Sequence, residues 1–157
     1  MQDMRSEDIV GDYREYTIQL YGHGARKVLV TDMETPYPEG RLIVSRTNQN
    51  GTITQVNQSF VVMSGYQESE LIGSPHSILR HPDMPSAAFK DLWDTVRSGK
   101  TWQGYVKNLR KDGGYYWVKA TVIPNIRERK VVGYTSVRRK PSREMIEQIQ
   151  AKYKSMT

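Results

Sequence analysis

One segment of the chain, His76 to Met84, concentrates the side chains that could do chemistry. It reads His-Ser-Ile-Leu-Arg-His-Pro-Asp-Met and holds two of the three histidines of the protein. Imidazole nitrogens bind metals and haem iron, and guanidinium groups pair with phosphate oxygens. The segment therefore predicts a binding site whose chemistry depends on the groups around it.

Three kinds of ligand suit this segment. A metal ion could use His76, His81 and Asp83, although one short segment seldom supplies a complete coordination sphere. A haem iron could take His76 or His81 as its axial ligand. An anionic cofactor could place its phosphate oxygens against Arg80 and His81. No nucleophile with a nearby base accompanies these groups, so the sequence does not predict an enzyme.

Composition narrows the class of protein. The 157 residues are about one domain, with 37% hydrophobic and 25% charged residues, a soluble globular balance. The chain has no cysteine, which excludes within it a disulfide, a Cys-ligated metal centre, a thiol nucleophile and a cysteinyl–flavin adduct. No apolar run approaches the roughly 20 residues of a membrane helix, and the polar, acidic N-terminal residues lead us to expect no signal peptide. We interpret the net charge of +6 as a solvated basic surface rather than a nucleic-acid site.

The first 40 residues differ from the rest and predict a partly helical N-terminal cap. Helical spacing of apolar residues predicts one helix over 8–21. Its apolar residues are Ile9, Tyr13, Tyr16 and Leu20. Gly22 and Gly24 end that helix, and the Pro-rich stretch 35–40 is expected to be a linker. The Gly-x-Gly pattern is too short for a nucleotide-binding loop.

Residues 41–140 predict one antiparallel sheet with short helices on one face. The predicted strands are 42–47, 52–56, 102–110, 115–126 and 131–139. The predicted helices are 58–64, 67–71 and 84–98, followed by a C-terminal helix within 141–157. We expect Asn57 and Asp83 to cap the helices that follow them. A curved sheet closed by helices leaves a cavity that suits a flat ligand.

Alternation along the strands indicates which side chains face this cavity. Trp102, Gly104 and Asn108 share the inner face, where a flat ring could stack, approach the backbone and find an amide. The alternative is that Trp102 is an ordinary core residue. Tyr115 and Trp117 share the outer face, which predicts either a partner surface or simple cross-strand pairing.

The order of motifs resembles that of a PAS domain. Asn57 to Phe60 lead into Ser64 to Tyr66 and then into Glu70 to Gly73. From there the chain resembles the PAS domain of bacterial aerotaxis transducers (Aer), from about residue 42 to the C-terminus. The resemblance includes Pro75-His76, Leu79 to Pro85, Ala87 to Phe89, Asp91 to Trp93, Trp102, Val106 to Asn108, Arg110-Lys111, Tyr116 to Val118 and Gly133-Tyr134. The run Arg-His-Pro-Asp-Met-Pro over 80–85 is its most specific part.

This resemblance implies an α+β PAS fold that holds a non-covalent FAD and senses redox state or oxygen. The flavin-associated positions of the family fall on Asn57, His76, Arg80, His81, Asp83, Trp102 and Asn108. The expected partners are a HAMP or chemotaxis signalling domain of the same or another chain, and a second copy in a homodimer. We expect no nucleic acid and no membrane insertion of this chain.

The expected location is the cytoplasm, where the chain acts alone or as the sensor part of a membrane-anchored receptor. The C-terminal helix would lead toward the signalling element. Two alternatives remain open at this point. One is a gas-sensing domain with haem on His76 or His81, and the other is a cofactor-free PAS domain used for dimerisation or docking.

Overall fold

A computed structural model describes residues 1–20 and 22–156 as an N-terminal hairpin attached to a five-stranded sheet with helices. The strands are β1 (Arg14–Leu20), β2 (Gly24–Val30), β3 (Ile43–Asn48), β4 (Ile53–Val56), β5 (Trp102–Leu109), β6 (Tyr115–Arg127) and β7 (Lys130–Arg139). The helices are α1 (Gln58–Ser64), α2 (Glu68–Leu71), α3 (Ser86–Arg97) and α4 (Arg143–Ser155), with 3-10 turns at Ser6–Asp8 and His76–Leu79.

The predicted antiparallel sheet is confirmed, with the strand order β4-β3-β7-β6-β5. Turn chemistry explains why its strands could be predicted. Asn48 accepts hydrogen bonds from the backbone of Asn50 and Thr52 at 2.9 and 3.1 Å, and Gly51 takes a φ of 83°. These features close the β3–β4 hairpin within the Asn-Gly turn that the sequence indicated.

The predicted helix over 8–21 is wrong, because residues 14–20 form a strand that pairs with β2. Tyr21 lies outside the described residues. Alternation along the same residues places Tyr16, Ile18 and Leu20 on one face of a strand, and β-branched and aromatic residues favour strands. Pairing with β2 decides the outcome, since Val28 and Val30 there are buried.

The main core lies between the inner face of the sheet and the helices. Phe60 of α1, Leu71 of α2 and Val96 of α3 pack there against Ile43 and Tyr116, and all five are fully buried. Two smaller clusters flank this core. One fixes the N-terminal hairpin through Met4, Val28, Leu29, Val30 and Leu109.

The second small cluster covers the outer face of the sheet with the C-terminal helix. Trp117 of β6 is only 4% exposed and stacks on Tyr153 of α4, with ring centroids 6.4 Å apart. Ser142 caps α4, and the hydroxyl of Tyr153 donates to the Tyr105 carbonyl at 2.7 Å. The outer aromatic face is therefore occupied by a segment of the same chain.

Asp83 does not cap α3, contrary to the prediction. The helix begins at Ser86, after Pro85. A proline disfavours helical backbone in the residue before it, so the helix cannot extend back through Met84. The carboxylate of Asp83 instead accepts a hydrogen bond from Lys107 of β5 at 2.8 Å.

Candidate functional site

A cavity of about 560 Å³ opens between the inner face of the sheet and the helical side of the domain. Small-molecule sites occupy roughly 300–1,000 Å³, so this one is large enough for a cofactor. Its apolar walls include Leu79, Phe89, Leu92, Trp93, Val106, Val122 and Tyr134. Its polar walls include Ser45, Thr47, His76, Ser77, Arg80, Asn108, Ser136 and Arg138.

Arg138 is a buried cation at the sheet side of the cavity. It lies on β7, is 3% exposed, and its Nη2 donates to Ser45 Oγ at 3.0 Å and to His76 Nε2 at 2.7 Å. None of the ion pairs between described residues includes Arg138. Burial lowers the pKa of Arg138 to about 10, so the side chain still carries its charge at neutral pH.

His76 is held as a neutral acceptor beside this charge. Burial, aided by the nearby Arg138, lowers the pKa of His76 to about 3. Its Nε2 lone pair points at the guanidinium, and its ring meets Phe60 edge to face with centroids 6.0 Å apart. The nitrogen that would bind a haem iron is therefore engaged with Arg138.

Arg80 supplies a second guanidinium from the segment after the 3-10 turn. Its Nη2 donates to Ser86 Oγ at 3.1 Å, and its Cζ lies 4.6 Å from the ring centroid of Phe89. Burial lowers the pKa of Arg80. The backbone of Arg80 pairs with that of Asn108 on β5, so both residues meet at the same edge of the cavity.

His81 and Asp83 lie outside the cavity lining. His81 is 1% exposed, and its Nδ1 accepts a hydrogen bond from the Asp83 backbone at 3.0 Å. Burial and the charge of Lys107 lower the pKa of His81 to about 4. Burial alone would raise the pKa of Asp83, but the hydrogen bond from Lys107 brings it below its ordinary value. The contacts among His81, Asp83 and Lys107 therefore fix the path of the chain into α3.

Asn57 caps α1, as predicted, and also lies outside the cavity lining. Its Oδ1 accepts from the backbone of Phe60 and of Val44, each at 3.1 Å. Its Nδ2 donates to the Leu42 carbonyl at 2.9 Å. The amide thus joins α1 to β3, which leaves the side chain a structural role.

Trp102 belongs to the core rather than to the cavity wall. Its Nε1 donates to Asp91 of α3 at 2.8 Å, and a Cβ added to Gly104 would overlap its six-membered ring. Gly104 therefore makes room for Trp102 itself and not for a ligand. Of the two readings of Trp102 that the sequence allowed, the packing favours the core residue.

The structure brings together three of the seven predicted site residues, His76, Arg80 and Asn108. Sequence reasoning missed Trp93, which lines the cavity and meets Tyr134 edge to face at 5.4 Å. Its place in an apolar helical stripe indicated only a core position. Arg138 was one basic residue among several near the C-terminus, and nothing in its spacing marked it as buried.

Four buried polar atoms on lining residues have no hydrogen-bond partner among the described residues. They are Thr47 Oγ1, Ser77 Oγ, Arg80 Nε and Arg138 Nη1. Native proteins leave few buried polar groups unpaired. Their concentration around one cavity fits a ligand that carries several hydrogen-bonding atoms, and two of the four atoms belong to cations.

No group of three or more His, Asp or Glu side chains comes together in residues 1–20 and 22–156 as a metal would need. Over the same residues, no helix has the length and apolarity needed to cross a membrane.

Comparison with known families identifies the class of protein. The family model described as PAS fold matches residues 53–138, more than half of the chain. The chain therefore belongs to the PAS-fold family. It is 44% identical over 127 residues to the aerotaxis receptor of Escherichia coli (strain K12), which confirms the predicted resemblance. The match covers 81% of this chain and 25% of the receptor, so the chain spans about a quarter of that relative's length.

Solved structures show the same α+β fold. A PAS domain from Colwellia psychrerythraea has a TM-score of 0.59 at 24% identity, covering 64% of this chain and 86% of that one. A light-oxygen-voltage domain studied with a flavin analogue has a TM-score of 0.61 at 22% identity, covering 74% and 87% respectively. At these identities, the likeness concerns the fold alone.

Proposed function

We propose that this chain is a flavin-binding PAS sensor that takes FAD and reports redox state or oxygen availability to a chemotaxis partner. The observation that carries the proposal is the set of unpaired buried polar atoms, two of them on guanidinium groups, around a cavity with aromatic walls. FAD combines a flat ring with carbonyl oxygens and a negatively charged diphosphate. Such a ligand matches both the apolar and the cationic parts of the lining.

The names of related proteins support the same proposal. The similar Escherichia coli protein is an aerotaxis receptor, and one structural neighbour is a light-oxygen-voltage domain studied with a flavin analogue. The chain has no cysteine, so a covalent cysteinyl–flavin adduct is excluded. The cofactor would be held without a covalent bond.

His76, Arg80 and Asn108 are the proposed contacts for the cofactor, and Trp93 is the proposed aromatic wall. Asn57, His81, Asp83 and Trp102 would act as positioning residues, because their side chains bond to the elements that carry the cavity wall. A bound flavin would supply a reversible store of electrons. The protein's own residues would bind it, orient it and exclude water.

Strand β5 is the proposed route from the cavity to a partner. Asn108 on this strand faces the cavity, and the Tyr105 carbonyl on the same strand accepts a hydrogen bond from α4. A shift of β5 on its inner side would therefore reach the C-terminal helix on its outer side. We propose that α4 passes this change to a HAMP or signalling domain in the cytoplasm, in a homodimer or across chains.

The geometry favours a flavin over a haem. The Nε2 of His76 faces a guanidinium, and His81 lies outside the cavity lining. Of the two predicted haem ligands, His76 therefore has its Nε2 engaged and His81 does not reach the cavity. We do not propose an enzyme, because among the described lining residues His76 is bonded to Arg138 and not to a serine hydroxyl.

The test is the visible absorption spectrum of the purified chain before and after dithionite, with elemental analysis for iron. A two-banded yellow spectrum that bleaches on reduction, with FAD released on denaturation, is the expected result. A Soret band with stoichiometric iron would replace the flavin with haem. A colourless protein that takes up neither FAD nor FMN in equilibrium dialysis would contradict the sensor proposal and leave a docking module.

A further inference from the structure

We infer that Arg138, at the sheet side of the cavity, is the group that binds the carbonyl edge of the flavin ring. This inference rests on the proposed function and adds to it a ligand contact and an orientation. It places the dioxopyrimidine part of the ring against β7, and the diphosphate toward α3.

The first argument is charge. A buried arginine normally pairs with a carboxylate, because an isolated buried charge is strongly unfavourable. Arg138 is buried, yet its hydrogen-bond partners are a serine hydroxyl and a neutral imidazole, and its Nη1 has no partner among the described residues. Arg138 also lines the cavity, so a ligand bound there would be close enough to supply the interaction that Nη1 lacks.

The second argument is orientation. Both hydrogen bonds of the guanidinium use Nη2, and their acceptors belong to β3 and to the 3-10 turn. The Arg138 Cζ also lies 5.2 Å from the ring centroid of Phe60 on α1. Three elements thus fix the plane of the Arg138 guanidinium group before any ligand binds. A donor held in advance loses little entropy when it meets an acceptor.

The third argument is the difference in exposure between Arg138 and the other cations that line the cavity. The cavity has other cations on α3, Lys90 and Arg97, but both are exposed. Arg138 instead lies among the buried serines Ser45 and Ser136. Phosphate groups are strongly hydrated and are costly to bury, whereas ring carbonyls need only hydrogen-bond donors. We therefore assign the ring edge to Arg138 and the diphosphate to the exposed cations.

The experiment compares Arg138→Met with the matched control Arg97→Met in the full chain. The dissociation constants of riboflavin, FMN and FAD are measured by fluorescence titration of each apoprotein. Arg138→Met should weaken all three ligands by about 10- to 100-fold, the range of a hydrogen bond to a charged group. Arg97→Met should weaken FMN and FAD but leave riboflavin unchanged, because riboflavin has no phosphate.

A second readout is the thermal unfolding of the apoproteins. Replacing an uncompensated buried charge by an apolar side chain of similar length is often neutral or stabilising. The midpoint of apo Arg138→Met should therefore equal or exceed that of the wild type. A clear fall, or a failure to fold, would show that the hydrogen bonds to Ser45 and His76 stabilise the fold, and the titrations would then use Arg138→Gln, since glutamine keeps donors for both acceptors without the charge. Wild-type riboflavin affinity in Arg138→Gln would overturn the inference.

The titrations also distinguish this inference from the proposed function. If the wild type binds no flavin, both are wrong. If the wild type binds flavin and Arg138→Met binds all three ligands equally well, only the inference on Arg138 is wrong. Loss of FMN and FAD with riboflavin retained would place Arg138 on the phosphates and overturn the assignment to the ring.

Discussion

Trp93 and Trp102 lie close together in the sequence, but their side chains have different surroundings. Trp93 of α3 lines the cavity, with the Cζ of Arg97 5.0 Å from its ring centroid. Trp102 of β5 is 7% exposed and bonds to Asp91 on that helix. The pair therefore provides matched substitutions that separate ligand contact from packing.

Replacing each tryptophan by phenylalanine should give different results. Trp93→Phe is expected to weaken flavin binding several-fold with little effect on stability, because the side chain faces the ligand space. Trp102→Phe should lower the free energy of unfolding by about 1–3 kcal/mol, since Asp91 loses its hydrogen bond and the core loses volume. Flavin titration and urea unfolding of both variants check the prediction, and equal affinity losses would contradict it.

His81, which is buried, and His76, which is half-buried, make the stability depend on pH. The pKa values of His76 and His81 are lowered from 6.5 to about 3 and about 4, mainly by burial. In the unfolded chain both groups would gain protons as the pH falls through about 6.5, while the folded protein keeps them neutral. Protons then favour the unfolded state, so the free energy of unfolding should fall as the pH falls.

The expected slope is up to roughly 1.4 kcal/mol per pH unit for each histidine between their ordinary and folded pKa values. The folded protein also lowers the pKa of Asp83, so protonation of Asp83 reduces the free energy of unfolding only as the pH falls below its ordinary pKa of 3.8. Urea unfolding between about pH 5 and pH 7 therefore isolates the histidines. His76→Gln, whose amide oxygen can still accept from Arg138, should show about half the slope. A wild-type free energy that is constant over this range would contradict the assignment.

At the scale of elements, Arg26 fastens the N-terminal hairpin to the cavity wall. It lies on β2, is 4% exposed, and donates to the Ile78 carbonyl and the Gln2 carbonyl, each at 2.9 Å. Ile78 belongs to the 3-10 turn that carries His76. Gln19 and His23, at the two sides of the hairpin turn, line the cavity. The hairpin is therefore one wall of the site.

Arg26→Met should loosen this wall. The free energy of unfolding should fall by about 1–3 kcal/mol, because a buried carbonyl loses a charged donor. Flavin should also dissociate several-fold faster, which stopped-flow fluorescence would measure. Arg14→Ala is the control, since its ion pair with Asp32 is exposed and worth roughly 0–1 kcal/mol. Unchanged dissociation in Arg26→Met would show that the hairpin does not retain the ligand.

Local signals explain which elements the sequence predicted. Strands β3 to β7 could be predicted because turn-forming residues separate them and because apolar and polar side chains alternate along each strand. The β1–β2 hairpin was missed because residues 14–20 carry apolar side chains at both helical and alternating positions, and only pairing with β2 decides between the two. The site was predicted in part for the same reason. His76 and Arg80 share a local motif, whereas Arg138 reaches them only when β7 pairs with β3.

At the scale of the whole molecule, ion pairs join the N-terminal segment to the C-terminal helix. Glu34 accepts two hydrogen bonds from Arg143 of α4, at 3.1 and 2.8 Å. Glu39 pairs with Lys140 just before that helix at 2.8 Å. The region around α4 therefore contacts both the outer face of the sheet and the segment 31–42, which precedes β3.

The docking of α4 should respond to the cofactor if β5 carries the signal. Amide hydrogen exchange of the flavin-loaded chain should show faster exchange in α4 in one redox state than in the other. Ile146→Asp, which places a charge in the buried contact with Trp117, should make exchange in α4 fast in both states. Glu147→Asp, on the exposed face of the helix, is the control. Identical exchange in the oxidised and reduced wild type would exclude this route.

The stack of Trp117 on Tyr153 also gives the protein an intrinsic optical probe. Trp93 lines the cavity, Trp102 lies in the main core, and Trp117 lies beneath α4, so the three indoles occupy separate environments. With phenylalanine at 93 and 102, all tryptophan emission comes from Trp117. Its wavelength and polarisation then report the position of the C-terminal helix in real time, without an added dye.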